Sequence, residues 1–263
     1  MDDLIDYPLN EPANIRKLRS AARAGADDDV VALGMALAKS GCSHEAAILL
    51  RPLRAKWKTH SDAEAGRSAL EVQTWYNKTW KHFAQLKQAG KIDQALDLLG
   101  DRAPQFWDQP PILMHLGGFA VDQGKLNLAE HIFRRIAYLA DRGVPKVNMT
   151  AFVYAAQAAL LDVLAARGNA VEALKLWRKL EANPGNAMAQ QLQGASLMAA
   201  AGVHDEALQQ VARILVTAQK ERKGYSRDVR QEFADNAPDL AHLRKHKDWA
   251  TMRADPAAFL KSD

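Results

Sequence analysis

Cysteine is almost missing from this sequence. Cys42 is the single one, so no intrachain disulfide can brace the fold. At 263 residues the chain is long enough to bury a core without such a staple, and a lone thiol suits a reducing compartment. Long hydrophobic runs are missing as well. The first twenty residues carry Asp2, Asp3, Asp6, Glu11, Arg16, Lys17 and Arg19 and no apolar stretch, which argues against a secretory leader. The longest apolar run, from Ala151 towards Ala166, is broken by Gln157 and Asp162. It falls short of the roughly 20 residues that a membrane span requires. A soluble, cytoplasmic protein is expected.

Charge of one sign is scarce. The formal net charge is +4, and the stretch from Arg213 to Arg253 holds that excess, with ten Lys/Arg against six Asp/Glu. So small a surplus is low for a nucleic-acid binder, and a solvated helical face is the plainer reading. Nucleic-acid association through this basic region stays open as an alternative. Motifs of chemistry are also scarce. Gly117 and Gly118 lie inside a helical pattern and not between a strand and a helix, so they make no phosphate loop. Cys42 and His44 sit beside a turn next to Glu45 without further ligands, and read as a surface turn. His242 and His246 have helical spacing, but Arg244, Lys245 and Lys247 around them repel a cation. No metal, no cofactor and no enzymatic activity are expected; a helical-repeat enzyme without a recognisable motif is a further alternative.

What the chain does have is an internal repeat, the feature to seek first. Glycines stand between helical stretches at Gly41, Gly90, Gly124, Gly168 and Gly202. Five residues after each comes an alanine: Ala46, Ala95, Ala129, Ala173 and Ala207. Nine residues after each comes a larger apolar residue: Leu50, Leu99, Phe133, Trp177 and Val211. Four residues before each stand Leu37, Leu86, Ala120, Leu164 and Met198. A glycine closes a helix in the left-handed conformation at no steric cost. The alanine then lets two helices approach closely, and the bulky residue one turn on fills the space between pairs.

This register resembles the tetratricopeptide repeat family, most closely in Leu113, Leu116, Gly117, Ala120, Gly124, Ala129 and Phe133. The resemblance covers roughly residues 28–222 and implies an all-α fold: an α-solenoid of about five antiparallel helix pairs. Two of the glycine spacings are 34 residues, and the others are 49 and 44. The first excess implies longer helices from about Asp62 through Gln88, and the second falls at a helix end around Gly143, Val144 and Pro145. Residues 1–26 read as an extended lead-in and a short amphipathic helix, with Asp27, Asp28 and Asp29 capping the next helix. Residues 27–222 carry the repeats, and 223–263 a C-terminal helical cap that covers the last pair. The aromatics and cations from Trp75 to His82 suit either a packed helix face or a peptide contact.

In the family, the first helix of each pair lines the inner surface. That implies Val31, Met35 and Ala38 in the first pair; Trp80, Ala84 and Lys87 in the second; Met114, Gly118 and Val121 in the third; Ala158, Asp162 and Ala165 in the fourth; and Leu192, Ser196 and Ala199 in the fifth. The lining is mostly small and apolar, which suits an amphipathic or hydrophobic protein segment. Trp80, Met114 and Leu192 are expected as apolar anchors, with Lys87 and Asp162 setting orientation. The expected function is a non-enzymatic protein-interaction module: an adaptor, a secretion chaperone or a toxin-neutralising partner.

Overall fold

The structure, a computed structural model, describes residues 2–145, 147–181, 187–220 and 224–261. Among the described residues the chain is helical throughout, and its one β-type contact is an isolated bridge between Cys42 and Phe106. The helices are α1 (Ala13–Ala22), α2 (Asp27–Lys39), α3 (Ser43–Leu50), α4 (Arg54–Trp57), α5 (Ala63–Gln88), α6 (Ile92–Leu99), α7 (Pro110–Asp122), α8 (Leu126–Arg142), α9 (Thr150–Ala166), α10 (Ala170–Glu181), α11 (Ala187–Ala200), α12 (His204–Lys220), α13 (Tyr225–Asn236), α14 (Trp249–Ala254) and α15 (Pro256–Phe259). No helix among the described residues is long and apolar enough to cross a membrane. The chain divides into two compact units, residues 1–163 and 164–263.

The five glycine turns are built alike. Each glycine has φ between 70° and 79°. In each turn the amide after the glycine donates back to the carbonyl four residues before it: Cys42 to Leu37, Lys91 to Leu86, Lys125 to Ala120, Asn169 to Leu164 and Val203 to Met198, at 2.8–3.0 Å. This is the Schellman closure, which satisfies a carbonyl the helix end would otherwise orphan. Each turn thus joins two helices through three residues. All five register alanines are fully buried at 0% exposure. The bulky residues at the ninth position are buried too, and in α7 and α8 the reason is visible. A Cβ on Gly117 would stand 2.5 Å from the Phe133 ring, so only glycine lets that ring seat. Gly194 of α11 makes the same room for Trp177 of α10.

In the first unit α2 packs against α1, α3 and α5, and α7 against α8. Ile15, Leu33, Met35, Leu37, Leu50 and Trp57 share one apolar cluster. The long α5 supplies the excess length expected from Asp62 onward, and α8 ends at Gly143, whose φ is 79°. In the second unit α12 packs against α11, α13, α14 and α15. Ala234, Leu240, Leu243 and Met252 of the tail are buried there.

Three local expectations are corrected. Residues Asp2–Asp6 form a 3-10 turn in place of an extended lead-in. Ala26, not an aspartate, holds the N-cap of α2; Asp27, Asp28 and Asp29 fall in its first turn, where they meet the positive end of the helix dipole. The Cys42–His44 turn is not a surface turn. Cys42 is 5% exposed, because the segment around Phe106 lies over it: the Trp107 amide donates to the Gly41 carbonyl at 3.1 Å.

Replacing Ala173 by Leu is expected to lower stability by about 1–3 kcal/mol through overpacking. A denaturant midpoint equal to that of the parent chain would place this alanine at solvent and break the register.

Candidate functional site

A dense set of ionisable groups lies in the first unit. Glu11 Oε1 accepts from Arg19 Nη2 at 2.6 Å and from Arg142 Nη1 at 3.0 Å. Glu45 Oε2 accepts from Arg142 Nη1 at 2.8 Å, and Glu45 Oε1 from Arg19 Nη1. The four side chains form a closed ring of alternating charge that joins the N-terminal segment, α1, α3 and α8. The Glu11 and Glu45 side chains are 7% and 4% exposed. Burial alone would push the Glu45 carboxyl up, but Arg19 and Arg142 outweigh it and hold the carboxyl below its ordinary range.

A second cluster adjoins this ring. Asp108 accepts from the backbone amides of His44 at 3.2 Å and Glu45 at 2.8 Å, so it caps α3 from a remote loop. Complete burial pushes its carboxyl up to about 6, against the pull of those amides and of His44. Arg135 donates to the carbonyls of Trp107 at 3.0 Å and Leu9 at 2.8 Å, and to Cys42 Sγ at 3.3 Å. Trp107 Nε1 donates to Pro8 O at 2.9 Å, His131 Nε2 to Tyr7 O at 2.7 Å, and the Glu11 amide to the Tyr138 hydroxyl at 3.0 Å. Burial raises the Cys42 thiol to about 12, which keeps it protonated and unreactive at neutral pH. Together the two clusters are a clamp that fastens residues 7–11 to α8.

The residues expected to touch a partner fall in both units. Trp80, Lys87, Met114 and Asp162 belong to the first and Leu192 to the second. Trp80 is half-buried. Its ring stacks on Tyr76 and on Phe83, each at 5.4 Å, and leans on His115 of α7 at 5.5 Å. Burial, with help from the exposed Lys87, lowers His115 to about 4. On α7, Met114 is half-buried, Val121 is 39% exposed, and a Cβ on Gly118 would meet nothing within 4 Å. Trp80 thus meets α7 at His115, and Met114, Gly118 and Val121 follow one another along an accessible stripe of α7 at helical spacing. In α2 the matching residues Val31 and Met35 are 5% and 2% exposed and Ala38 is partly buried against the same core cluster, so the first pair fills most of its own inner face. Asp162 is exposed on α9. Leu192 lines a trough of about 670 Å³ with Asp228, Val229, Glu232, Phe233, Asn236 and Ala237.

The segment from Trp75 to His82 joins an aromatic cluster. Trp75 leans on Phe106 at 5.4 Å and Tyr76 on the same ring at 6.3 Å. Trp75 also borders a cleft of about 510 Å³ with Arg54, Arg67 and Lys78. The clamp and His115 had no signal in the sequence, because ion pairs between residues 11 and 142 leave no periodicity.

Glu45→Gln is expected to cost about 3 kcal/mol at neutral pH, since it leaves Arg19 and Arg142 sharing the single carboxylate of Glu11. The Glu45 carboxyl lies below 4.5 when folded, so its stabilisation is complete above that pH and is lost as pH falls through the folded value. Urea titrations of parent and variant should therefore converge in acid. The His115 ring proton should titrate near 4 by NMR. Between 6.5 and 4 only the unfolded chain takes up that proton, so this group lowers stability as pH falls across the interval. Compared with known proteins, the chain matches no family model, no curated protein and no solved structure.

Proposed function

We propose that the chain is a non-enzymatic protein-interaction module of tetratricopeptide kind, acting in the cytoplasm, whose α5–α7 face captures an apolar or amphipathic segment of another protein. One observation carries this reading: Met114, Gly118 and Val121 form an accessible stripe of α7, the helix that Trp80 meets at His115, whereas in α2 the matching Val31 and Met35 are buried and Ala38 is partly buried. The identical turns and the five buried alanines support the stacking of helix pairs that the resemblance implies. Trp80 offers a wide apolar anchor, held in orientation by Tyr76, Phe83 and His115. Aromatic residues so placed dominate many interfaces. Lys87 at the strip's edge would orient the bound segment by charge. Adaptor, secretion chaperone or toxin-neutralising partner are the concrete roles, and they rest on the resemblance.

The nucleic-acid alternative is weakened by how the basic region uses its cations. Arg253 pairs with Asp235 at 2.7 Å, and Arg244 donates to the Ala237 carbonyl at 2.8 Å.

Gly118→Arg separates binding from folding. The added side chain enters open space, and replacing glycine inside a helix gains up to about 1 kcal/mol. The variant should keep its helicity and melting temperature while losing the proteins that the parent chain captures from native extract, as read by mass spectrometry. Equal capture by both would overturn the α5–α7 reading.

A further inference from the structure

We infer that the trough in the second unit docks a basic amphipathic helix of a partner protein. Its floor is apolar: Leu192 from α11, Val229 and Phe233 from α13, and Ala237. The three large side chains are half-buried, so they remain open to a partner. Its volume of about 670 Å³ lies in the range of built ligand sites, about 300–1,000 Å³.

The rim decides what enters. Asp228 and Glu232 stand one turn apart on α13, each just before a floor residue, Val229 or Phe233. Asn236 Nδ2 donates to Glu232 Oε1 at 2.8 Å and fixes that carboxylate at the edge. No lysine or arginine lines the trough among the described residues, although the stretch from Arg213 to Arg253 holds ten of them against six acids. The neighbouring acid Asp235 is neutralised by Arg253 at 2.7 Å. Among the described residues, the charge that borders the trough is acidic.

A neutral apolar segment would desolvate Asp228 and Glu232 without compensation. An acidic segment, a nucleic acid or an anionic lipid surface would be repelled. A helix with apolar residues on one stripe and Lys or Arg beside it meets both demands, because its side chains repeat every turn, about 5.4 Å, as those of α13 do. This surface belongs to the other unit from the α5–α7 face and does not rest on it.

The test uses the full chain and a fluorescein-labelled synthetic helix of leucine and lysine, with a leucine–glutamate peptide of the same apolar pattern as control. Fluorescence anisotropy should show the lysine peptide binding, more weakly at high salt, and the glutamate peptide not binding. The double variant Asp228→Asn, Glu232→Gln should weaken binding roughly tenfold, in line with two exposed ion pairs. Leu192→Gln should weaken it through the floor, whereas Asp235→Asn and Gly118→Arg should leave it unchanged. The inference is overturned if neither peptide binds, if both bind equally, or if the double variant binds like the parent. It is also overturned if sedimentation shows a dimer that the double variant dissociates, since a second copy would then fill the trough.

Discussion

Two arginines and two glutamates neutralise one another with the carboxylates almost wholly out of water, and the first unit is arranged around that ring. Each member comes from a different segment: Glu11 from the N-terminal strap, Arg19 from α1, Glu45 from α3 and Arg142 from α8. Removing any one leaves an uncompensated buried charge, the most costly defect a small core can carry. The geometry therefore fixes four segments at once. Arg135, Asp108 and Trp107 extend the same logic with hydrogen bonds to backbone, so the strap is held by side chains of helices and loops far along the chain. The two clusters set the frame on which α5 and α7 are displayed.

The helical pairs obey a different and simpler constraint. A left-handed glycine, a six-residue hydrogen-bonded closure and a buried alanine recur at the same offsets in five turns. These are local events, and local events leave marks in sequence. The glycine–alanine register was readable for that reason, as were the length of α5 and the end of α8. The 3-10 turn at Asp2–Asp6 and the N-cap at Ala26 were not, because no cap side chain marks them. The covering of the Cys42 turn by Phe106 and Trp107 depends on a contact more than sixty residues long, which spacing cannot reveal.

The candidate surfaces were legible by half. Counting back from each glycine led to the half-buried Trp80, to Met114 and Gly118, which share an accessible stripe of α7, and to Leu192, which lines the trough. The same count led to Val31 and Met35, which are core. Position in a repeat states which way a side chain points, but not whether a neighbour already covers it. The acidic rim was invisible because Asp228 and Glu232 sit in a stretch whose overall balance is basic.

The strap has a consequence for synthesis. A stack of helix pairs that touch only their neighbours can fold pair by pair as it leaves the ribosome. Here the Glu11 amide is held by Tyr138, 127 residues away, and its carboxylate by Arg142, 131 residues away. Until Arg142 has emerged, Glu11, Arg19 and Glu45 hold a surplus of negative charge that has no second guanidinium. Residue 11 and α1 must therefore wait, solvated and loosely packed, while more than a hundred residues are added after them. In this protein residues 7–11 are among the last to find their place.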